Sequence, residues 1–289
     1  MRICIIGSGG YVGSALAKAC TERQDKLQLV SSRSNGIDTT TGLLPSDFEI
    51  KAGTDVVYYL AQSPHYRQVP EYAGHLLSVN CAAAVQAAFV AKQAGVKRFI
   101  YTSTGSVYTP SFSPLYEQSP LQRDNWYSLS KVQAEEALAL FRRDMDITIV
   151  RPFGIYGPGQ TDKLVPNLMR RVLSGDEISI DQNPKDSTDV GGLRISLCYI
   201  HDTVQILYNL IEQTGIECLN LAGSEAISIR TMVEIMGRIS GINAKIILSD
   251  KYRQFDLIAD TVLLTRVLNP EFTDLETGLA QMLMYQSRS

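Results

Sequence analysis

The feature that most constrains this chain is its first element boundary. Arg2–Ile6 is a short apolar run ending at Gly7, and Gly7-Ser8-Gly9-Gly10-Tyr11-Val12-Gly13 reads G-x-x-G-x-x-G just where a helical pattern over Tyr11–Cys20 begins. A strand that turns directly into a helix through glycines leaves the first helical N–H groups open to an anion, and a phosphate can approach the backbone without meeting a Cβ. The last glycine lets helix and strand pack closely. Gly7, Gly10, Tyr11, Val12 and Gly13 are therefore expected to cradle the pyrophosphate of a dinucleotide.

The rest of the first half repeats the strand–helix alternation. Leu27–Ser31, Asp55–Ala61, Lys97–Thr102 and Asp146–Arg151 read as buried strands, and Ile37–Thr41 is a weak candidate for another. Glu71–Ala94 and Tyr127–Arg143 read as the long helices between them. This order predicts an α/β fold with a doubly wound parallel sheet. After Pro152 the pattern loosens into Gly/Pro-rich turns. Helices are expected over Lys163–Ser174, His201–Gln213 with Asp202 as N-cap, Ser228–Ser240, Thr261–Leu268 and Asp274–Met284. Short strands are expected within Glu177–Ile200 and at Glu217–Leu221. The division follows: 1–151 as the Rossmann domain and 152–289 as a smaller α+β substrate lobe interleaved with it.

Bulk properties exclude several function classes. With 45% hydrophobic and 20% charged residues and a net charge of -3, the chain has no basic face for a nucleic acid. No stretch reads as long and apolar enough for a membrane span, and the N-terminal apolar run is too short for a signal peptide. The five cysteines are scattered without a C-x-x-C pair, as expected of reduced thiols in a cytoplasmic protein. His65, His75 and His201 show no metal-ligand spacing, so no metal is expected.

The second strand ends in Ser31-Ser32-Arg33-Ser34. An acidic residue there would accept hydrogen bonds from a ribose 2′-hydroxyl. Ser32, Arg33 and Ser34 instead suit a 2′-phosphate, which favours NADP(H) and leaves NAD(H) possible. Further along, Tyr127 and Lys131 stand four residues apart, so a helix puts them on one face. An ammonium beside the phenol would favour its ionised form and let it exchange protons near neutral pH. Ser103, Thr104 and Gly105 follow a strand, at the carboxyl edge where ligands bind in such sheets.

Together these segments identify the chain as similar to the extended short-chain dehydrogenase/reductases, in particular the nucleotide-sugar epimerase/dehydratase/reductase group. GSGGYVG resembles that family's cofactor turn, and DVVYYLAQ the strand and loop beside the cofactor, which implicates Leu60, Ala61 and Gln62. TSTGSVY and YSLSK resemble its Ser/Thr segment and Tyr-Lys pair. RPFGIYGPG, containing Pro152, and YIHD resemble later landmarks, and Asn80 stands at the family's structural Asn. The resemblance implies Tyr127 as proton donor or acceptor, Lys131 as holder of the nicotinamide ribose, and Thr104 as polariser of a substrate oxygen. It makes Ser103, Gly105 and Arg194 candidates for substrate contact, Arg194 for a phosphate. It also implies a sugar-nucleotide substrate and a homodimer formed through the two long helices.

Departures narrow the reaction. The family's dehydratases carry an acidic pair after the catalytic Thr, where this chain has Gly105 and Ser106, so a 4,6-dehydratase is not expected. Gly154 replaces an Asn that helps bind the sugar nucleotide. A reductase of a keto-deoxysugar nucleotide is the leading expectation and an epimerase with tightly held cofactor the alternative. A non-catalytic dinucleotide sensor, which would be expected to lose the Tyr-Lys pair, ranks third.

Overall fold

The computed structural model describes residues 1–34 and 36–286. Two compact units are formed from interleaved segments. The first comprises Met1–Thr109, Glu117–Pro152 and Val204–Leu219; the second comprises Pro110–Tyr116, Phe153–Thr203 and the chain from Asn220 onward.

The first unit is built on a parallel sheet. β1 (Arg2–Ile6), β2 (Lys26–Val30), β3 (Val56–Tyr59), β4 (Arg98–Thr102) and β5 (Asp146–Pro152) run in the order β2-β1-β3-β4-β5, and β9 (Cys218–Leu221) continues it beyond β5. Every described pairing from β2 through β5 is parallel. The central strands are buried on both faces, as runs such as VVYY and RFIYT require. The expected strand at Ile37–Thr41 does not form. Asp38 accepts hydrogen bonds from the backbone of Thr40 and Thr41 and closes a turn there instead.

α1 (Tyr11–Glu22) follows β1. The long helix expected over Glu71–Ala94 is α2 (Ala73–Leu77) and α3 (Ala83–Gln93), joined by one π turn at Ser78–Ala82. By length and composition the span 73–93 is long and apolar enough to cross a membrane, which corrects the expectation that no stretch qualifies. In this fold its Ala83, Ala84, Ala87, Ala88 and Ala91 lie in the core against β1, β3 and β4. The π turn frees backbone carbonyls, and two core tyrosines use them. Tyr59 Oη donates to Val79 O, and Tyr101 Oη to Asn80 O at 2.7 Å. α4 (Trp126–Ala139) covers the neighbouring part of the sheet and tightens to 3₁₀ geometry over Leu140–Arg143. Its N-cap is Asn125, whose side chain accepts from Ser128 N.

The second unit has two small sheets. β6 (Gly154–Tyr156), β8 (Arg194–Tyr199) and β10 (Ala226–Ser228) form one, ordered β10-β8-β6; β7 (Glu177–Gln182) pairs parallel with β11 (Lys245–Tyr252) in the other. α5 (Leu164–Leu173), α7 (Ile229–Ser240) and α9 (Leu275–Gln286) enclose a core containing Met169, Val172, Met232, Met236 and Leu279. α6 (Ile200–Asn209) and α8 (Val262–Leu268) complete the helices among the described residues. Asp202 is not an N-cap. It sits inside the first turn of α6, where its carboxylate accepts from the Thr273 backbone N–H and hydroxyl, each at 2.8 Å.

Candidate active site

The glycine turn is fixed by the packing that a dinucleotide site needs. Gly7 has φ +93°, and a Cβ there would lie 2.5 Å from Ala61 N. A Cβ on Gly13 would lie 2.1 Å from Gly7 O. Gly7 and Ser8 both donate to Val30 O, at 2.8 and 3.1 Å, which draws the turn toward the end of β2. Gly10 is the N-cap of α1 and offers no capping side chain. A helix N-terminus without a capping side chain at Gly10 suits a pyrophosphate.

At the end of β2, Ser34 N donates to Ser31 O, and the two hydroxyls lie 3.1 Å apart, closing a small turn. Ser32, Arg33 and Ser34 are exposed on it. Leu60 N is bonded to Ile6 O, which holds the stretch Leu60–Gln62 level with the glycine turn.

The catalytic candidates come together as the sequence spacing implied. Tyr127 opens α4, and its Oη donates to Gln62 Oε1 at 3.0 Å and hydrogen-bonds the Thr104 hydroxyl. Thr104 follows β4 and caps the short 3₁₀ turn Gly105–Val107, accepting from Ser106 N at 3.1 Å. Lys131, one turn along α4, is almost wholly buried; its Nζ donates to Thr102 O at 2.9 Å and lies 4.9 Å above the Tyr101 ring. Gly105 is buried behind Thr104, and Pro152 is buried at the end of β5.

The protonation states run against the expected ammonium–phenolate pair. Burial pushes the Tyr127 phenol up to about 12, and the hydrogen bond with Thr104 only partly opposes this. Burial pushes Lys131 down to about 7, against the opposing charge of Glu135. Burial, which disfavours the charged form, is the first cause in both groups, although the Tyr127 side chain is only half-buried.

Ser103 is placed elsewhere than the substrate role would need. It is buried, its N–H bonds Val150 O, and its hydroxyl donates to the buried carboxylate of Glu135. Asn80 was expected only as a structural residue, and the π turn shows what it holds. Its Oδ1 accepts from Ser63 N at 3.2 Å and its Nδ2 donates to Ser130 Oγ at 3.0 Å; Ser130 in turn donates to Tyr127 O. One buried side chain thus ties the loop after β3 to the catalytic turn of α4. His65, which a lone loop histidine would leave solvated, stacks on Tyr72 at 4.1 Å, while Tyr66 lies 5.7 Å from the Tyr127 ring. Trp126, more readily read as packing, is 41% exposed.

In the second unit Arg194 is bound by Asp256, with Nε and Nη2 each 3.0 Å from Oδ2. Its neighbour carries no signal of its own in the sequence. Arg253 is buried, pairs with Asp256 at 2.9 Å and Asp189 at 2.5 Å, and has a buried Nη1 that makes no hydrogen bond. Lone arginines in irregular segments look solvated until the fold assembles them. Gly154 packs tightly: a Cβ there would lie 2.5 Å from Leu197 Cδ2, so Leu197 fills the space an Asn side chain would enter.

A doubly wound parallel sheet whose first strand turns through glycines into a helix defines a dinucleotide-binding fold of the Rossmann type. Residues 3–222 match the NAD dependent epimerase/dehydratase family, and the chain belongs to it. It is 31% identical over 210 residues to UDP-glucose 4-epimerase of Vibrio cholerae, a match covering 66% of this chain and 63% of that protein. Over 99% of its length it is 24% identical to an uncharacterized UDP-glucose epimerase, YtcB, of Bacillus subtilis, covering 98% of that protein. In fold it is similar to TunA, described as an NAD dependent NDP-hexosamine 5,6-dehydratase involved in tunicamycin biosynthesis. There the TM-score is 0.82 at 23% identity, over 100% of this chain and 98% of TunA.

Proposed function

We propose that this protein reduces a keto group on the sugar of a sugar nucleotide, with Tyr127 as the proton donor. The observation that carries this reading is the Tyr127 hydroxyl, held between Thr104 and Gln62 one helical turn from buried Lys131. Gly7–Gly13 would hold a nicotinamide cofactor, which would supply the hydride. Tyr127 gives its Oη proton to the carbonyl oxygen as that oxygen gains charge. Thr104 orients the same oxygen through its hydroxyl. Lys131, fixed by Thr102 O, would hold the cofactor ribose. Gly105 and Ser106 offer no carboxyl acid for elimination of water, which supports excluding 4,6-dehydration. Arg194 and Arg253 are assigned to a substrate phosphate, since guanidinium forks with spare donors suit one. Exposed Ser32, Arg33 and Ser34 support NADPH as the reductant. Phe89 on α3 is 51% exposed and Leu140 after α4 is 76% exposed, which supports a homodimer through these helices.

The likeness to the Vibrio cholerae epimerase favours a second reading, in which hydride is removed and returned to the other face of one sugar carbon. Incubation with NADPH and a 4-keto-deoxysugar nucleotide separates the two. Stoichiometric NADPH loss is expected. Copurified NAD with interconversion of UDP-sugar epimers, and no net redox change, would establish the epimerase instead. In either case Tyr127→Phe is expected to lower kcat on the order of 10²–10⁴-fold with cofactor affinity nearly unchanged. Activity retained in that variant would overturn the assignment of Tyr127.

A further inference from the structure

The Glu135 carboxylate lies one helical turn beyond Lys131 and is buried to the same degree as its partner Arg151, each side chain being 7% exposed. Both of its oxygens are used. Oε1 accepts from Arg151 Nε at 3.1 Å and from the Ser103 hydroxyl, and Oε2 accepts from Arg151 Nη2 at 2.5 Å. Arg151 spends its remaining Nη1 on Tyr108 Oη at 3.0 Å and Glu117 O at 2.9 Å. The network therefore joins four pieces of chain around the catalytic groups: the residue preceding Thr104, the end of the 3₁₀ turn that Thr104 caps, the turn of α4 that follows Lys131, and the end of β5 before Pro152.

We propose that Glu135 is a positioning residue for the Tyr127–Lys131–Thr104 site, its carboxylate clamping the end of β4 to α4 and supplying the fixed negative charge that faces Lys131. Two independent arguments support this. First, Ser103 and Thr104 are adjacent and extended, so anchoring the Ser103 hydroxyl on the inner side fixes where Thr104 projects on the other. A carboxylate used by three donors from two elements has little freedom to let that strand end drift. Second, Lys131 has no carboxylate among its own hydrogen-bond acceptors, only Thr102 O. The groups facing it are Glu135 on α4 and the Tyr101 ring on β4. Around Glu135 stand Arg151 on β5, Tyr108, Glu117 and the Cys218 thiol on β9. Of all these, Glu135 supplies the opposing charge that raises the affinity of Lys131 for its proton. Arg151 pairs with both oxygens of that carboxylate and holds it in place.

The catalytic consequence rests on the hydride-transfer reading; the effect on Lys131 does not. The test is therefore a titration of Lys131 itself, by NMR of protein labelled with ¹³C at lysine Cε, its resonance identified by its loss in Lys131→Met. Glu135→Gln is expected to move the Lys131 midpoint to lower pH and, in turnover assays, to move the alkaline loss of activity the same way. Ser103→Ala is expected to lower kcat and leave the Lys131 midpoint in place, since it removes the clamp and keeps the charge. If Glu135→Gln fails to fold with its buried cation orphaned, Glu135→Gln/Arg151→Met replaces it, with the same expected direction. A folded variant whose Lys131 titrates at the wild-type pH would overturn the charge assignment, and wild-type kcat in Ser103→Ala would overturn the clamp. A lowered midpoint in a protein that turns over no sugar nucleotide would leave Glu135 assigned and remove the functional reading.

Discussion

Two buried arginines, one in each unit, sit in clusters of opposite kind. Arg151 faces one carboxylate, Glu135, and its Nε, Nη1 and Nη2 are all used by protein acceptors. Arg253 pairs with two carboxylates, Asp189 and Asp256, the latter shared with Arg194, and still leaves a buried Nη1 without an acceptor. Arg194 in that cluster has a side chain 42% exposed. Lys185 Nζ and the Arg253 guanidinium lie 5.1 and 5.6 Å from the Phe112 ring, adding positive charge on an aromatic face. The Arg151 cluster is closed and holds the protein's own chain in place; the Arg253 cluster leaves one buried donor unspent beside the half-exposed Arg194, which supports the anion site proposed above. Buried charge alone does not distinguish a strut from a binding group.

The contrast can be broken most directly at Arg151. Arg151→Met leaves Glu135 buried and unpaired, so thermal unfolding should show a loss of about 3–5 kcal/mol. A near-wild-type Tm would show that the cluster tolerates an open valence after all. Arg194→Met should do the reverse. A charged hydrogen bond to a substrate phosphate contributes about 1.5–3 kcal/mol, so KM should rise roughly 10- to 100-fold with little change in Tm. Equal loss of Tm in the two variants would erase the distinction. A smaller effect is expected at the end of β2, where Arg33→Ala should weaken NADPH on the order of 10-fold and NADH hardly at all, as measured by fluorescence titration.

A further effect lies in the pH dependence of stability. Lys131 binds its proton less tightly folded, near pH 7, than in an unfolded chain, where lysine titrates near 10.4. Between those values the unfolded state holds more protons, so this residue's contribution makes stability rise with pH. The buried thiols act in the other direction; Cys20, for example, is pushed up to about 11 by burial. The comparison is therefore between proteins. Urea titrations of wild type and Lys131→Met should differ by an amount that changes from about pH 7 to pH 10 and is level below it.

Much of the first unit was legible because its signals are local. The glycine turn, the apolar strands and the i,i+4 spacing of Tyr127 and Lys131 each occupy a dozen residues or fewer, and each is a direct consequence of backbone geometry. What failed was non-local. Asp202 has the residue type of an N-cap, but a tertiary partner, Thr273, claims its carboxylate. The turn at Asp38 stands where a strand seemed to start, because a carboxylate two and three residues before free N–H groups competes with sheet pairing. Ser103 looked like half of a hydroxyl pair with Thr104, yet adjacent residues in extended chain face opposite sides, and Glu135 waits on the inner one. Arg253 became visible as a candidate only when residues 64 positions apart met at Asp189.

The π turn at Ser78–Ala82 has a consequence for how such a chain can change. A π turn is one extra residue wound into a helix, so everything after it is rotated by about 100° relative to an unbroken α-helix. Removing any single residue from 78–82 would restore regular winding and swing either the alanine face of α3 or the side chain of Asn80 out of phase with the sheet. Point substitutions can be absorbed there; a one-residue deletion cannot, because it resets the angular register of the whole helix. The segment is a fixed gear offset between the turn of α4 that carries Tyr127 and the core, and its length is constrained by mechanics whatever its letters become.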